Sequence, residues 1–311
     1  MLIAAPMAVQ AQALWSDALR IPTDPTFLTL RGQLSLDTEY TYARVGGTHT
    51  GDGPPTTSKA SSNLLSETAA YGVTNDVQID LAWAYDFGGD ESFEGSGGPP
   101  VSHDDRGVTD PRFGLTWRAV DQRGHPVSVD LAAEYAPDVF AATTSTATTA
   151  GSEALGAQEA ILRVAVGHQT RAFTIQGAVL ATWEGDSRIR DPANGGVSTA
   201  TSSWTPTAQL NSQLRFSRRF SLNLTAGYDF GSRRTVTEDD GVSYVDRPSG
   251  DERLVAALNY HFIPSVLVGG VDYSHTFFDH EQIDFPLAPA SNGAFARSGD
   301  TVGVRLTYVY R

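Results

Sequence analysis

The chain has no cysteine, a single lysine (Lys59), and no apolar run long enough to cross a bilayer as a helix. Without cysteine there is no disulfide framework, no thiolate metal site and no thiol nucleophile. The absence also suits a chain that crosses an oxidising periplasm unfolded. A membrane helix needs about 20 consecutive apolar residues, and with a mean hydropathy of -0.23 a helical membrane protein is excluded. Positive charge is scarce as well: 22 basic side chains stand against 36 acidic ones, for a net charge of -14. No basic face can accumulate to neutralise phosphates, so nucleic acid is excluded as a partner. Gly-x-Ser-x-Gly, His-Glu-x-x-His and the P-loop are missing too, and no catalytic residue, metal site or cofactor is expected.

What the sequence does have is a period of two from Phe27 onward, the signature of strands. Val77, Ile79, Leu81, Trp83, Tyr85 and Phe87 point one way, and Gln78, Asp80, Ala82, Ala84 and Asp86 the other. The pattern recurs from Leu28 to Tyr42, where Leu28, Leu30, Leu34 and Leu36 oppose Arg31, Gln33, Asp37 and Glu39, and continues to the last strand, Val302 to Tyr310. Ser61 to Tyr71 alternates poorly, but a strand is needed there to complete the series.

Twelve such segments are joined by connectors that alternate strictly in length. The short ones are Val73 to Asp76, Asp121 to Pro126, Gln169 to Arg171, Ser217 to Arg219 and Ile263 to Ser265. The long ones are Val45 to Ala60, Gly88 to Gly107, Pro137 to Ala157, Gly185 to Thr201, Gly231 to Gly250 and Phe277 to Gly293. Short turns at one end and long loops at the other are how outer-membrane barrels are strung. A soluble sandwich or propeller also alternates, but loops this long and this regular in their placement are not expected there. Aromatics reinforce the choice: Trp83, Tyr85, Phe87, Tyr135, Trp183, Tyr228 and Phe230 fall at the loop ends, and Trp117, Phe216, Phe220, Tyr260 and Phe262 at the turn ends. The expected fold is all-β: a closed antiparallel up-and-down transmembrane β-barrel of about 12 strands.

Three segments follow. Residues 1–13 read as a signal-peptide remnant, apolar over Met1 to Val9 and ending in the small-x-small Ala11-Gln12-Ala13. Residues 14–26 read as a periplasmic N-terminal segment and 27–311 as the barrel, with only about a dozen residues before the first strand, too few for a separate plug domain. The polar face supplies the candidate lumen lining: Arg31, Asp37, Glu39, Asp80, Asp86, Arg112, Arg118, Asp130, Glu134, Arg163, Arg215, Asp229, Arg253, His261, Asp272 and Arg305. Charges enclosed in a barrel must pair or line water, because isolated ones are too costly. Most should form interior ion pairs, with a subset left to set selectivity.

These features lead to a bacterial outer-membrane channel for passive uptake of a small solute. Its expected partners are membrane lipid, lipopolysaccharide, the barrel-assembly machinery and the solute itself. Two alternatives come from other classes. One is a surface adhesin or envelope-structure barrel acting through acidic loops. The other is an outer-membrane hydrolase, for which His275, Asp279-His280 and the acidic pairs Asp104-Asp105 and Asp239-Asp240 are the only candidates. No serine motif accompanies His275, so an interfacial histidine is the simpler reading. The chain ends Leu306-Thr307-Tyr308-Val309-Tyr310-Arg311, so an aromatic lies in the last strand although the final residue is arginine.

Tyr71-Gly72-Val73-Thr74-Asn75-Asp76, followed by its alternating strand, resembles a signature of the MetA-pathway of phenol degradation family. Gly107-Val108-Thr109-Asp110, then Arg112-Phe113-Gly114-Leu115 and Trp117-Arg118, resembles that family's second signature, with the strand Val127 to Pro137 next in order. The resemblance covers Glu67 to Asp138, and the segment after Pro137 departs from it by lacking the family's usual glycine. It implies an outer-membrane channel for aromatic or other hydrophobic compounds. The shared motifs are turns and strand geometry, so no functional residue carries over.

Overall fold

The computed structural model describes residues 22–50, 56–89, 91–94, 101–103, 106–143, 152, 154, 156–191, 195–247, 250–284 and 293–310. The apolar stretch and small-x-small site at the N-terminus, Asp104-Asp105 and Arg311 lie outside these residues. Twelve strands form the wall: β1 (Leu34–Thr50), β2 (Thr56–Gly72), β3 (Val77–Asp86), β4 (Arg112–Val120), β5 (Ser128–Ala136) and β6 (Glu159–Gln169). The remainder are β7 (Phe173–Glu184), β8 (Ser203–Arg215), β9 (Phe220–Asp229), β10 (Asp251–Ile263), β11 (Leu267–Asp284) and β12 (Gly293–Tyr310). Each pairs antiparallel with its sequence neighbours, and β12 pairs with β1 from Leu34↔Tyr310 to Thr50↔Ala294. That last ladder closes the sheet and removes its edges, so the wall's backbone donors and acceptors find partners within it.

The polarity is inverted relative to a soluble protein. The largest fully buried side chains include His261, Gln176, Gln213 and Asn259, whereas Leu162, Leu258 and Val304 are each more than half exposed. Every strand contributes to both surfaces because its residues alternate. On β4 the outward residues are Phe113, Leu115 and Trp117 and the inward ones Arg112, Gly114, Thr116 and Arg118. Exposed aromatics gather at both ends of the wall. Near the long loops, Tyr85 meets Phe87 at 4.9 Å between ring centroids and Tyr228 meets Phe230 at 4.8 Å. At the turn end, Tyr260 packs edge-on against both Phe220 and Phe262.

Three expectations change. The first strand begins at Leu34, so Leu28 is not an outward residue; it is buried within the preceding segment. The connectors from Val45 and from Phe277 are largely continuations of the β1–β2 and β11–β12 hairpins beyond the rest of the wall. Other long connectors contain short strands: Glu91–Glu94 pairs with Val101–His103, Ser187–Arg190 with Val197–Ala200, and Arg234–Thr237 with Ser243–Arg247.

Candidate functional site

Near the short turns, residues 22–30 cross the lumen from one wall to the other. On one side Gln213 Nε2 donates to Thr23 Oγ1 at 3.0 Å and Asn223 Nδ2 to the Thr23 carbonyl at 2.6 Å. Asp24 pairs with Arg215, and the two side chains are 0% and 6% exposed. The same carboxylate accepts from Gln169 Nε2 at 2.8 Å and from Thr174 Oγ1. Further along, Arg118 Nη2 donates to the Thr26 carbonyl, and Thr29 donates through N and Oγ1 to Gln78 Oε1. Gly167 makes room for this crossing: a Cβ there would lie 2.5 Å from Thr26 Cγ2. Part of the segment assigned to the periplasm, residues 22–26, occupies the barrel interior.

Above the crossing, the wall of β4 to β6 is held by ion pairs. Arg118 Nε lies 2.8 Å from Asp130 Oδ1, with side chains 12% and 6% exposed. Arg112 Nη2 lies 2.6 Å from Glu159 Oε1, and its Nη1 lies 3.8 Å from Glu134. Arg163 donates to Gln176 Oε1 on β7 at 2.6 Å. Asp80 on β3 faces this wall across Gly114.

The opposite wall, β8 through β12 and on to β1, is built differently. A cavity of about 330 Å³ is lined there by Glu39, Asp229, Arg253, Asp272 and Arg305 among uncharged Thr, Asn and Gly residues. Arg305 Nη2 donates to Asn259 Oδ1 at 3.1 Å, Thr207 holds Asp229, and Thr307 holds Asp37. Among the described residues, Glu39, Arg253, Asp272 and Arg305 form no ion pair within 4.0 Å.

Three candidates lie elsewhere. Arg31 is exposed at the turn rim, where its backbone bridges to Gly72 and donates to Asn75 Oδ1. Asp86, only 3% exposed, accepts from the Gly88 amide at 2.6 Å and fixes the outer end of β3. His261 is buried at the turn end, with Nε2 3.1 Å from Ser221 Oγ and Nδ1 without a partner. Asp86, His261 and the remaining candidates lie on the inward faces of their strands. The sequence reading missed Thr23, Asp24, Thr26 and Thr29 of the crossing; the amides Gln78, Gln176, Gln213, Asn223 and Asn259 it placed on the polar faces of their strands without naming them as lining candidates. Glu159, on the polar face opening β6, likewise stood in the alternation without being named a candidate.

His275 sits on the outer wall, where Nδ1 lies 2.8 Å from Asp300 Oδ1 and the ring packs on Phe277. Tyr273 OH donates to the same carboxylate, and among the described residues no serine bonds the imidazole. Asp240 caps a loop turn through the Val242 amide, while the side chains of Asp279 and His280 lie outside the described residues. No group of three or more potential metal ligands occurs among the described residues.

No family model matches the sequence, and neither does any curated protein. Solved structures do match. The COG4313 outer membrane channel from Pseudomonas putida F1 aligns with a TM-score of 0.60 at 13% identity, covering 93% of this chain and 99% of that one. The transport unit of the autotransporter AIDA-I from Escherichia coli aligns at 0.53 and 11% identity, covering 97% of each chain. A Pseudomonas aeruginosa FadL homologue aligns at 0.47 and 11% identity, covering 89% of this chain and 90% of that one. At such identities the likeness to the first two is one of fold.

Proposed function

We propose that the chain is a passive channel of the bacterial outer membrane that admits small solutes through its lumen. The observation that carries this reading is the inverted polarity: a closed wall apolar outside, between two aromatic belts, and polar inside. Such a surface is at lowest free energy in a bilayer, and the enclosed polar groups then contact one another or water. Twelve strands lie between the eight that side chains fill and the sixteen or more that leave a wide pore, which suits a narrow path. Lipid, lipopolysaccharide and the barrel-assembly machinery are the partners this location entails. The hydrolase alternative is not favoured at His275, which is paired with Asp300 on the outer wall and, among the described residues, is bonded by no serine.

The resemblance to the phenol-degradation family suggests an aromatic solute. A lining of Arg, Asp, Asn and Thr favours one that carries hydrogen-bonding groups over a bare hydrocarbon. Reconstitution of the full chain into planar bilayers and proteoliposomes tests the reading. Ion conductance and solute-driven swelling are expected, and vesicles as tight as protein-free ones overturn it.

A further inference from the structure

The cavity on the β8–β1 wall poses a physical problem. Five charged groups, three carboxylates and two guanidiniums, line a space of about 330 Å³. Asp229 is held by Thr207 and Arg305 by Asn259, while among the described residues Arg253, Glu39 and Asp272 form no ion pair within 4.0 Å. The β4–β6 wall shows that this chain pairs interior charges when their positions allow. Charges left apart in an enclosed space must be stabilised by water or by something that replaces it.

Their arrangement says what could replace it. Arg253 pairs across the sheet with Gly227 and Thr276, on the loop side of the cavity. Asp272 pairs with Ala257 and Gly303, two inward positions nearer the turns, and Glu39 pairs with Arg305 one position beyond. The Arg253 guanidinium therefore stands above, with the Asp272 Cα level about 13 Å and the Glu39 level about 20 Å below it along the strand. Asp229, bonded to Thr207, lies one inward position loopward of Arg253, and Arg305, bonded to Asn259, lies level with Glu39. The long arginine side chain narrows that gap. Gly303 is part of the construction: a Cβ there would lie 2.6 Å from Asp272 Oδ1, so only glycine lets the carboxylate lie over the wall. Asn223 lines the cavity and also holds the Thr23 carbonyl, which gives the space a floor at the crossing segment.

We propose that this cavity is a binding station for small zwitterions, Arg253 receiving the anionic end and Glu39 with Asp272 the cationic end. A net anion meets three carboxylates there, a net cation meets two guanidiniums, and a neutral solute leaves Arg253, Glu39 and Asp272 without a counterpart. Only a solute bearing both signs satisfies both levels. A volume near the lower edge of small-molecule sites restricts the class to compact molecules.

The inference rests on the channel reading, and one experiment separates their failures. Proteoliposomes holding the full chain are tested for swelling in alanine and in lactamide, isomers that differ in charge distribution, with the reversal potential measured in a KCl gradient. Alanine is expected to enter several-fold faster than lactamide. Arg253→Gln and Asp272→Asn, each checked for heat-modifiable gel mobility as evidence of folding, are expected to bring the two rates together. They should move the reversal potential in opposite directions, R253Q toward cations and D272N toward anions. Equal alanine and lactamide rates in a wild-type protein that carries KCl current overturn the zwitterion station and leave the channel standing. A preference that survives in both folded variants overturns it equally. An absence of both current and swelling overturns the channel reading, and the station with it.

Discussion

The two walls of the lumen carry similar residues and use them in opposite ways. On β4 to β6, Arg112 and Arg118 reach carboxylates on neighbouring strands, and the pair Arg118–Asp130 is almost fully enclosed. On β10 to β1, Arg253 and Arg305 stand among Glu39 and Asp272 without closing an ion pair. Strand register accounts for the difference at Arg253 and Asp272, while Arg305, directly opposite Glu39, turns its guanidinium to Asn259 instead. Arg118 lies directly opposite Asp130 across the β4–β5 ladder, whereas the residues opposite Arg253 and Asp272 include Gly227, Ala257 and Gly303. One wall is braced, and the other is left open to whatever passes.

The largest effect should come from unbracing. Arg118→Met leaves Asp130 enclosed without its cation and should destabilise the folded barrel by about 3–5 kcal/mol. Urea-induced unfolding of the reconstituted protein measures this. A loss below about 1 kcal/mol would mean that water reaches Asp130, and the contrast between the walls would fail. Asp24→Ala comes next. Arg215 keeps neutral partners in the Thr170 carbonyl, Gln213 and Thr174. The expected cost is accordingly lower, about 1–3 kcal/mol. Its clearer readout is electrical, because releasing residues 22–30 from the β7–β8 side should raise single-channel conductance. Unchanged conductance would show that this segment does not limit the path. Third is Arg253→Gln on the open wall, expected to change stability by less than about 1 kcal/mol because no pair is broken. A loss as large as that of R118M would put both walls in the same class.

The inward and outward faces of β3 and β4 were legible in the sequence because the buried-versus-exposed division follows a strict period of two. Strand β2 was the hard case, and its outer face explains why. Glu67 there accepts from Thr38 Oγ1 and Asn63 from Tyr40 OH, so polar residues stand where the pattern wants apolar ones, and β1 satisfies them. The crossing segment was illegible for a different reason. Thr23 meets Gln213 and Asn223, 190 and 200 residues further along the chain, and nothing local in residues 22–30 marks them as interior. Pairing was hidden as well. The sequence shows that Arg118 and Arg253 both face inward, but only the register decides which finds a carboxylate opposite.

The smallest expected effect lies outside both walls, in the turn between β4 and β5, and serves as their exposed reference. Burial at Asp121 favours the protonated acid. The side-chain and backbone hydrogen bonds from Arg123 outweigh it, and the Asp121 carboxyl is held below its ordinary value. A carboxylate with a depressed folded-state pKa stabilises the fold above its unfolded pKa of about 3.9 and loses that contribution as pH falls through the folded value. The side chains of Arg123 and Asp121 are 56% and 27% exposed, so solvent screening keeps the contribution small. Asp121→Asn should therefore reduce stability by less than about 1 kcal/mol at neutral pH and leave it unchanged at pH values below the folded pKa. Unfolding midpoints at neutral and strongly acidic pH measure both limits. The difference between R118M and wild type should persist at neutral pH far beyond this surface pair's, because enclosure rather than the mere presence of opposite charges makes Arg118–Asp130 a brace.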